Sequence, residues 1–195
     1  MLDPPTSRPL EGPGQAEDDE LDFYARVFEV IDMRSFSNLW YWIGLAVFWS
    51  SLSYYVLGVP WDMIQRARRG GEERMAADVQ DLVRVNVNRL LMIGRVSGLL
   101  ALWFAAFAMT LLAILAFWYG VEFAQAVFFI AAPGAAVGVL AVNRAHRIAN
   151  EQAVGEVLYR HLLHHRRTVQ AIGMASIFVT AMFGMYQNLA IGAWG

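Results

Sequence analysis

Long uncharged apolar blocks constrain this chain more than any other feature. Residues 39–59 carry no charged side chain over 21 positions. A helix of that length rises about 31 Å, which is enough to cross the hydrocarbon core of a bilayer. Three further blocks follow at about 96–118, 123–142 and 169–191. The pattern predicts an all-α polytopic membrane protein with four transmembrane helices within residues 38–195.

Composition supports this prediction and excludes several kinds of site. The chain has 195 residues and is 57% hydrophobic, and it contains no cysteine. Disulfides and cysteine-ligated zinc or iron–sulfur clusters are therefore excluded. All 15 basic residues are arginine, so the phosphate-binding lysine of a P-loop and a Schiff-base lysine are excluded as well. A chain of this length leaves no room for a second, catalytic domain.

Two segments of different character precede the first apolar block. Residues 1–20 hold four of the six prolines together with glycines and acidic side chains, and we expect this acidic tail to be disordered. It lacks the basic and apolar regions of a signal peptide. Residues 21–37 bring apolar side chains to one face at helical spacing, which predicts an amphipathic helix that lies in the bilayer interface or against a partner.

The polar segments between the blocks predict helical extensions of the spans. After the break at Gly70, apolar residues share one helical face, so we expect a helix from near Glu72 that runs into the second span. The short turn 119–122 returns the next span antiparallel. Gly155 is the only breaker in 143–167, and we interpret that segment as a helical continuation of the third span.

Charge predicts the orientation of these spans. The segments 60–95 and 143–168 lie on the same side of a four-span protein, and together they hold 12 of the 15 arginines. The positive-inside rule places both in the cytoplasm and both termini in the periplasm. The expected location is the inner membrane of a bacterium, with the helical extensions projecting into the cytoplasm.

Two glycine pairs are the predicted helix-packing sites. Gly94 and Gly98 form a GxxxG pair at the entrance of the second span, and Gly134 and Gly138 form another in the third. Small residues at this spacing let helix backbones approach closely, within the chain or between copies. Pro133 removes one backbone donor and is expected to kink the third span.

Four polar residues predict a layer where the second and third spans meet their extensions. Arg95 lies beside Gly94 and Gly98 at the entrance of the second block, where a buried charge is costly and can mark a site. Asn143 and Arg144 leave the third block at the same depth, where they are expected to meet Arg95 and Asn86. The alternative is an Arg95 that reaches out to the membrane interface.

The histidines cluster just before the last span. His161 and His165 are four residues apart and point from one helical face, as in a two-histidine metal site. No third ligand shares that face. The alternative is a membrane-surface helix whose histidines and arginines contact lipid headgroups. We therefore predict no cofactor and retain haem or metal ligation by this pair only as an alternative.

The spans carry ionisable side chains only at their ends, which argues against a pump or coupled transporter. Acidic residues are mixed into the arginine-rich segment 66–74 and weaken its field, so we expect no nucleic-acid partner.

Several stretches resemble one group of small multi-pass membrane proteins. They are DMRSFSNLWYW at 32–42, VNVNRLL at 85–91, VEFAQAVF at 121–128, SIFVTA at 176–181 and QNL at 187–189. The group comes from alphaproteobacteria of the Rhodobacter type, and its members often carry the automatic description "component of SufBCD complex". The resemblance covers residues 21–190 and implies at most an association with that machinery. A chain without cysteine or lysine supplies neither a cluster ligand nor a P-loop.

The sequence thus predicts a non-enzymatic accessory, assembly or scaffold subunit of a larger inner-membrane complex. Its expected contacts are the lipid bilayer and a partner complex, or further copies of itself. The alternative is a small oligomeric channel or transporter, which needs a polar lumen that these spans barely supply.

Overall fold

The computed structural model describes Phe36, residues 38–70 and residues 73–192. The described chain is mostly helical, which confirms the all-α fold class at that level. The predicted acidic tail at 1–20 lies outside the described residues. So does the predicted amphipathic helix at 21–37, apart from Phe36.

The first apolar block forms a shorter helix than predicted. Helix α1 runs over Leu39–Tyr54, which is 16 residues, and the Asn38 side chain accepts a hydrogen bond from the Trp40 amide at 3.0 Å. Strand β1 (Tyr55–Val56) then pairs antiparallel with strand β2 (Val59–Pro60). The prediction of one helix over 39–59 is therefore wrong beyond Tyr54.

The hairpin turn explains why the helix ends there. Leu57 and Gly58 have φ angles of 50° and 81°, the two consecutive left-handed residues that a tight two-residue hairpin needs. Tyr55 and Val56 favour extended backbone, and Pro60 cannot continue a helix. Helix α2 (Trp61–Arg68) follows directly and ends before Gly70, whose φ is 88°.

Helix α3 confirms the prediction of one helix that begins after Gly70 and runs into the second apolar block. It covers Glu73–Ala113, 41 residues, and continues as a π-helical turn over Ile114–Trp118. A tight turn at 119–121, also as predicted, leads back into the next helix.

The last two helices are also long, with 29 and 38 residues, and each combines a polar stem with an apolar stretch. Helix α4 covers Glu122–Asn150 and contains Pro133 without interruption. Helix α5 covers Gly155–Gly192. The chain leaves α4 after Asn150, and α5 begins at Gly155, whose φ is 55°. The predicted helical continuation of the third span over 143–167 is therefore correct only as far as Asn150, because 155–167 belong to α5.

Three of these helices, α3, α4 and α5, are long and apolar enough to cross a membrane. Helix α1 rises only about 24 Å at 1.5 Å per residue. The described part of the chain therefore shows three candidate spans, and the predicted fourth is a shorter helix.

Buried side chains form two clusters along the helices. The stem core joins the polar ends of α3, α4 and α5 to the hairpin and α2. Its largest members are Val56, Val59, Ile64, Val79, Val83, Val87, Ile148, Leu158 and Leu162. The span core lies between α1 and the apolar parts of α4 and α5 and consists of Leu45, Trp49, Val137 and Val169.

Candidate functional site: a cleft at the base of the spans

The predicted polar layer does not form as one group. Arg95 and Asn143 are exposed, whereas Asn86 and Arg144 are half-buried in different surroundings. Asn86 packs against the hairpin, where a Cβ on Gly58 would lie 3.0 Å from its side-chain nitrogen. Arg144 turns instead toward α5. Helix spacing placed these residues at a common depth but did not predict their directions.

Arg144 belongs to a chain of hydrogen bonds that joins α4 to α5. Its Nη1 donates to His161 Nδ1 at 3.3 Å, and His161 Nε2 donates to Glu151 Oε2 at 2.7 Å. Because a guanidinium only donates, His161 Nδ1 is the acceptor and the ring proton lies on Nε2. Both ring nitrogens are therefore occupied by protein partners, and His161 is not free to bind a metal.

His165 lies one turn further along α5 and faces another way. Its side chain is buried, with 5% exposure, and it makes no hydrogen bond with the described residues. It belongs to the polar stem, before the apolar stretch that begins near residue 169. Burial, together with the charges of Arg144 and His164, lowers the pKa of His165 to about 4. The imidazole is therefore neutral at neutral pH.

The two histidines of the alternative metal site thus lie in two different environments. Among the described residues, no group of three or more histidine or carboxylate side chains is placed to hold a metal ion. His161 is held in the hydrogen-bond chain and His165 faces a cleft.

That cleft has a volume of about 350 Å³ and opens where the stems meet the apolar blocks. The hairpin and α1 form one wall, α3 forms a second, and α4 with His165 closes the third. Its polar lining side chains are Asn86, Arg89 and His165, together with the hydroxyl-bearing Tyr55, and no carboxylate lines it. The remaining lining residues are Leu52, Leu57, Gly58, Val87, Leu90, Ile93, Gly134, Val137, Gly138 and Ala141.

Three of the four glycines predicted as helix-packing sites have no close neighbour in the described chain. A Cβ on Gly134 would lie 3.1 Å from the Phe48 ring, but a Cβ on Gly94, Gly98 or Gly138 would meet nothing within 4 Å. Gly138 instead borders the cleft. Apart from Gly134, these glycines are not used for packing inside the described protein.

Two glycines that the sequence reasoning missed pack closely. A Cβ on Gly173 would lie 2.8 Å from Trp49, and one on Gly184 would lie 3.2 Å from Phe36. These glycines are 11 residues apart in α5, three helical turns, and so share one face. The spacing of 11 residues could therefore have indicated from the sequence that both glycines pack against the same neighbouring segment.

A buried glutamine at the far end of the spans was also missed. Gln125 Nε2 donates to the Ala116 carbonyl at 2.8 Å, and its Oε1 accepts from Gln187 at 2.7 Å. It thereby joins α4 to the π-helical turn and to α5. A single glutamine inside an apolar run is the signal that pointed to it.

The apolar half of α3 carries an open face of small side chains. Val79, Val83 and Val87 are buried in the stem, and the same face continues at helical spacing beyond them. In the apolar half it consists of Gly94, Gly98, Ala101, Ala105 and Ala108. Four of these are exposed and Gly98 is half-buried. In α3 only 6% of the most apolar 18-residue stretch is buried, against 28% in α5.

Compared with models of protein families, with curated proteins and with solved structures, the chain matches none. The resemblance to the Rhodobacter-type group therefore stays a prediction.

Proposed function

We propose that this protein is a non-enzymatic accessory subunit of a bacterial inner-membrane complex. In this proposal its open face, Gly94 to Ala108 along α3, receives a transmembrane helix of a partner protein. The observation that carries the proposal is the exposure of this face between two well-packed ends. Val87 is buried before it and Ala116 after it.

The opposite side of the same helix supports a partner helix rather than lipid on the open face. That side carries large exposed side chains, which suit contact with mobile acyl chains. They are Val96, Leu99, Leu100, Trp103 and Phe107. The open face consists of glycine and alanine alone, and this composition lets two helix backbones approach closely.

We also propose that α1 is a fourth span. The Tyr41 hydroxyl donates to the Ala126 carbonyl at 3.2 Å near one end of α4. At the other end of α1, Arg166 Nε donates to the Ser53 carbonyl at 3.3 Å, and its guanidinium lies 4.2 Å from the Trp61 ring centroid. Helix α1 thus accompanies the apolar stretches of α4 and α5 along their length.

With four spans, the arginine-rich stems face the cytoplasm and the turn at 119–121 faces the periplasm. Single-cysteine chains Tyr119→Cys and Arg84→Cys test this in intact cells with a membrane-impermeant maleimide. We expect labelling of the Tyr119→Cys chain alone. Labelling of the Arg84→Cys chain instead would place the stems outside.

Site-specific photocrosslinking tests the docking proposal. The chain has no native cysteine, so a benzophenone maleimide attaches only where a cysteine is introduced. Ala101→Cys places the probe on the open face, and Trp103→Cys places it on the opposite face as the matched control. In native membranes we expect the Ala101→Cys chain to give one discrete adduct with a different protein, and the Trp103→Cys chain to give none.

Two outcomes would overturn the accessory proposal. An adduct with the mass of two copies would show that the open face joins copies of this chain, which favours the small oligomeric channel or transporter. An absence of protein adducts at both positions would show that lipid covers the open face.

A further inference from the structure

We propose that the cleft lined by Asn86, Arg89 and His165 binds the phosphate headgroup of an anionic phospholipid. The first carbons of its acyl chain would lie along Gly134 and Gly138. This site is separate from the open face of α3 and does not depend on the docking proposal.

The polar end of the cleft offers donors and a positive charge without a protein partner for them. Arg89 is exposed, and the described residues give it no ion pair. Asn86 adds a side-chain amide, and no carboxylate lines the cleft to compete for either group. A phosphate diester supplies the accepting oxygens and the negative charge that such a set binds.

His165 is the strongest pointer to a ligand. The residue is only 5% exposed, and it lines the cleft. It makes no hydrogen bond with the described residues. A neutral imidazole carries one N–H donor and one acceptor nitrogen. Among the described residues, Trp49 Nε1 is the one fully buried side-chain nitrogen or oxygen without a partner, so the ring nitrogens of His165 are reachable from the cleft. A phosphate oxygen in the cleft would accept from the N–H.

The apolar end of the cleft fits a chain rather than a second polar group. Leu52, Val137 and Ala141 line it, and a Cβ on Gly138 would meet nothing within 4 Å. Gly138 therefore leaves a shallow groove where a larger residue would fill the space, whereas the Phe48 ring already lies close to Gly134. A volume of about 350 Å³ suits a headgroup and the start of a chain, with the remainder lying in the bilayer.

The depth of the cleft favours a lipid over a soluble anion. Asn86, Arg89 and His165 belong to the stems of α3 and α5, whereas Leu52, Val137 and Ala141 on the apolar side belong to the predicted spans. Phosphate groups of a bilayer lie at this boundary. Basic pockets between helices at that level are a recurring mode of anionic lipid binding.

Native mass spectrometry of the full chain in mild detergent tests the proposal. Phosphatidylglycerol is titrated against the wild-type chain and against the variants Arg89→Gln and Gly138→Leu. Arg95→Gln is the matched control, because Arg95 is an exposed arginine of the same helix that does not line the cleft. We expect one tightly bound lipid, weakened about tenfold or more in both cleft variants and about twofold or less in the control.

Three further probes separate the sources of the ligand. Phosphatidylcholine carries the same phosphate without net charge, inorganic phosphate carries the anion without a chain, and ubiquinone carries a chain with a neutral carbonyl headgroup. We expect none of them to displace phosphatidylglycerol at equal concentration. Displacement by any one, unchanged binding to the Gly138→Leu chain, or equal losses in the Arg89→Gln and Arg95→Gln chains would overturn the proposal. Circular dichroism verifies that each variant is folded. If the Gly138→Leu chain does not fold, the Arg89→Gln chain still tests the proposal, because Arg89 is exposed and its substitution is not expected to disturb the fold.

Discussion

The two halves of α3 present the same helical face to opposite surroundings. In the stem half, Val79, Val83 and Val87 are 0%, 1% and 3% exposed and form part of the stem core. In the apolar half, Ala101 and Ala105 on that same face are exposed. The more hydrophobic half of the helix is therefore the less buried one.

The contrast follows from what drives burial in each medium. Around the stems, water makes removal of apolar surface favourable, at about 25 cal/mol per Å². Inside a bilayer that driving force is absent, and helices associate only through close packing and hydrogen bonds. The described chain thus holds its stems together by hydrophobic burial, and in the proposed function the open face of α3 would depend on a partner helix of complementary shape.

The largest effect is expected in the stem core. Leu162 is 0% exposed, and its truncation to alanine leaves a cavity, so Leu162→Ala should lower the free energy of unfolding by about 2–5 kcal/mol. The matched change Leu100→Ala, in the exposed apolar half of α3, should cost about 0.5 kcal/mol or less. Chemical denaturation of both variants in detergent, followed by circular dichroism, measures the difference. Equal losses would contradict the division of α3 into a packed and an unpacked half.

Two glycine substitutions compare the apolar stretch of α5 with that of α3. A Cβ at Gly173 would lie 2.8 Å from the Trp49 ring, which is rigid and buried, so Gly173→Ala should cost about 1–3 kcal/mol. Gly98→Ala meets nothing within 4 Å and should stabilise the isolated chain by roughly 0.5–1 kcal/mol, because alanine favours a helix interior. The same denaturation experiment measures both, and destabilisation by Gly98→Ala would show that its face is already packed.

Hydrogen bonding at the far end of the spans gives a smaller effect. Gln125→Leu leaves the Ala116 carbonyl and the Gln187 side-chain amide without the hydrogen bonds that Gln125 makes to them. We expect the free energy of unfolding to fall by about 1–2 kcal/mol. Gln170→Leu is the control, since Gln170 is half-buried in α5 without a hydrogen bond to the described residues. A thermal melt that shifts equally for both variants would rule out a special role for Gln125.

Backbone breaks were predictable and side-chain partners were not. Helices end before Gly70 and before the turn at 119–121, and Gly155 begins α5, so each break lies at or next to residues that predict one. The hairpin at Tyr55–Pro60 was missed because a count of uncharged residues does not distinguish a helix from a strand pair. Gly58 and Pro60 were the signals for a turn.

The histidine pair shows the same limit at the candidate site. The spacing of four residues correctly puts His161 and His165 on neighbouring turns of one helix. It says nothing about α4, and α4 supplies the Arg144 that occupies His161. Which histidine is free to meet a ligand depends on the packing of two helices, and no single-helix pattern contains that information.

The smallest effect concerns the link between α1 and α2 on the stem side. The Tyr54 hydroxyl donates to Asp62 Oδ1 at 2.8 Å, and Arg66 lies 3.3 Å from the same carboxylate. The Tyr54 hydrogen bond is the main cause that lowers the pKa of Asp62 below its usual 3.8, with smaller contributions from the Met63 amide and Arg66. A carboxyl whose pKa is lower in the folded state stabilises the fold above its unfolded pKa. That contribution is lost as the pH falls through the lowered folded value.

Tyr54→Phe should therefore return the pKa of Asp62 toward 3.8 and remove this acid sensitivity. Carbon-13 NMR of the Asp62 carboxyl as a function of pH measures the shift directly. Arg66→Gln is the control and should move the pKa of Asp62 in the same direction by less, because this ion pair is exposed and screened by solvent, while the Tyr54 hydrogen bond is the larger cause. A larger shift from Arg66→Gln than from Tyr54→Phe would mean that the α1–α2 junction is held by charge. In that case added salt should raise the pKa of Asp62 in the wild-type chain.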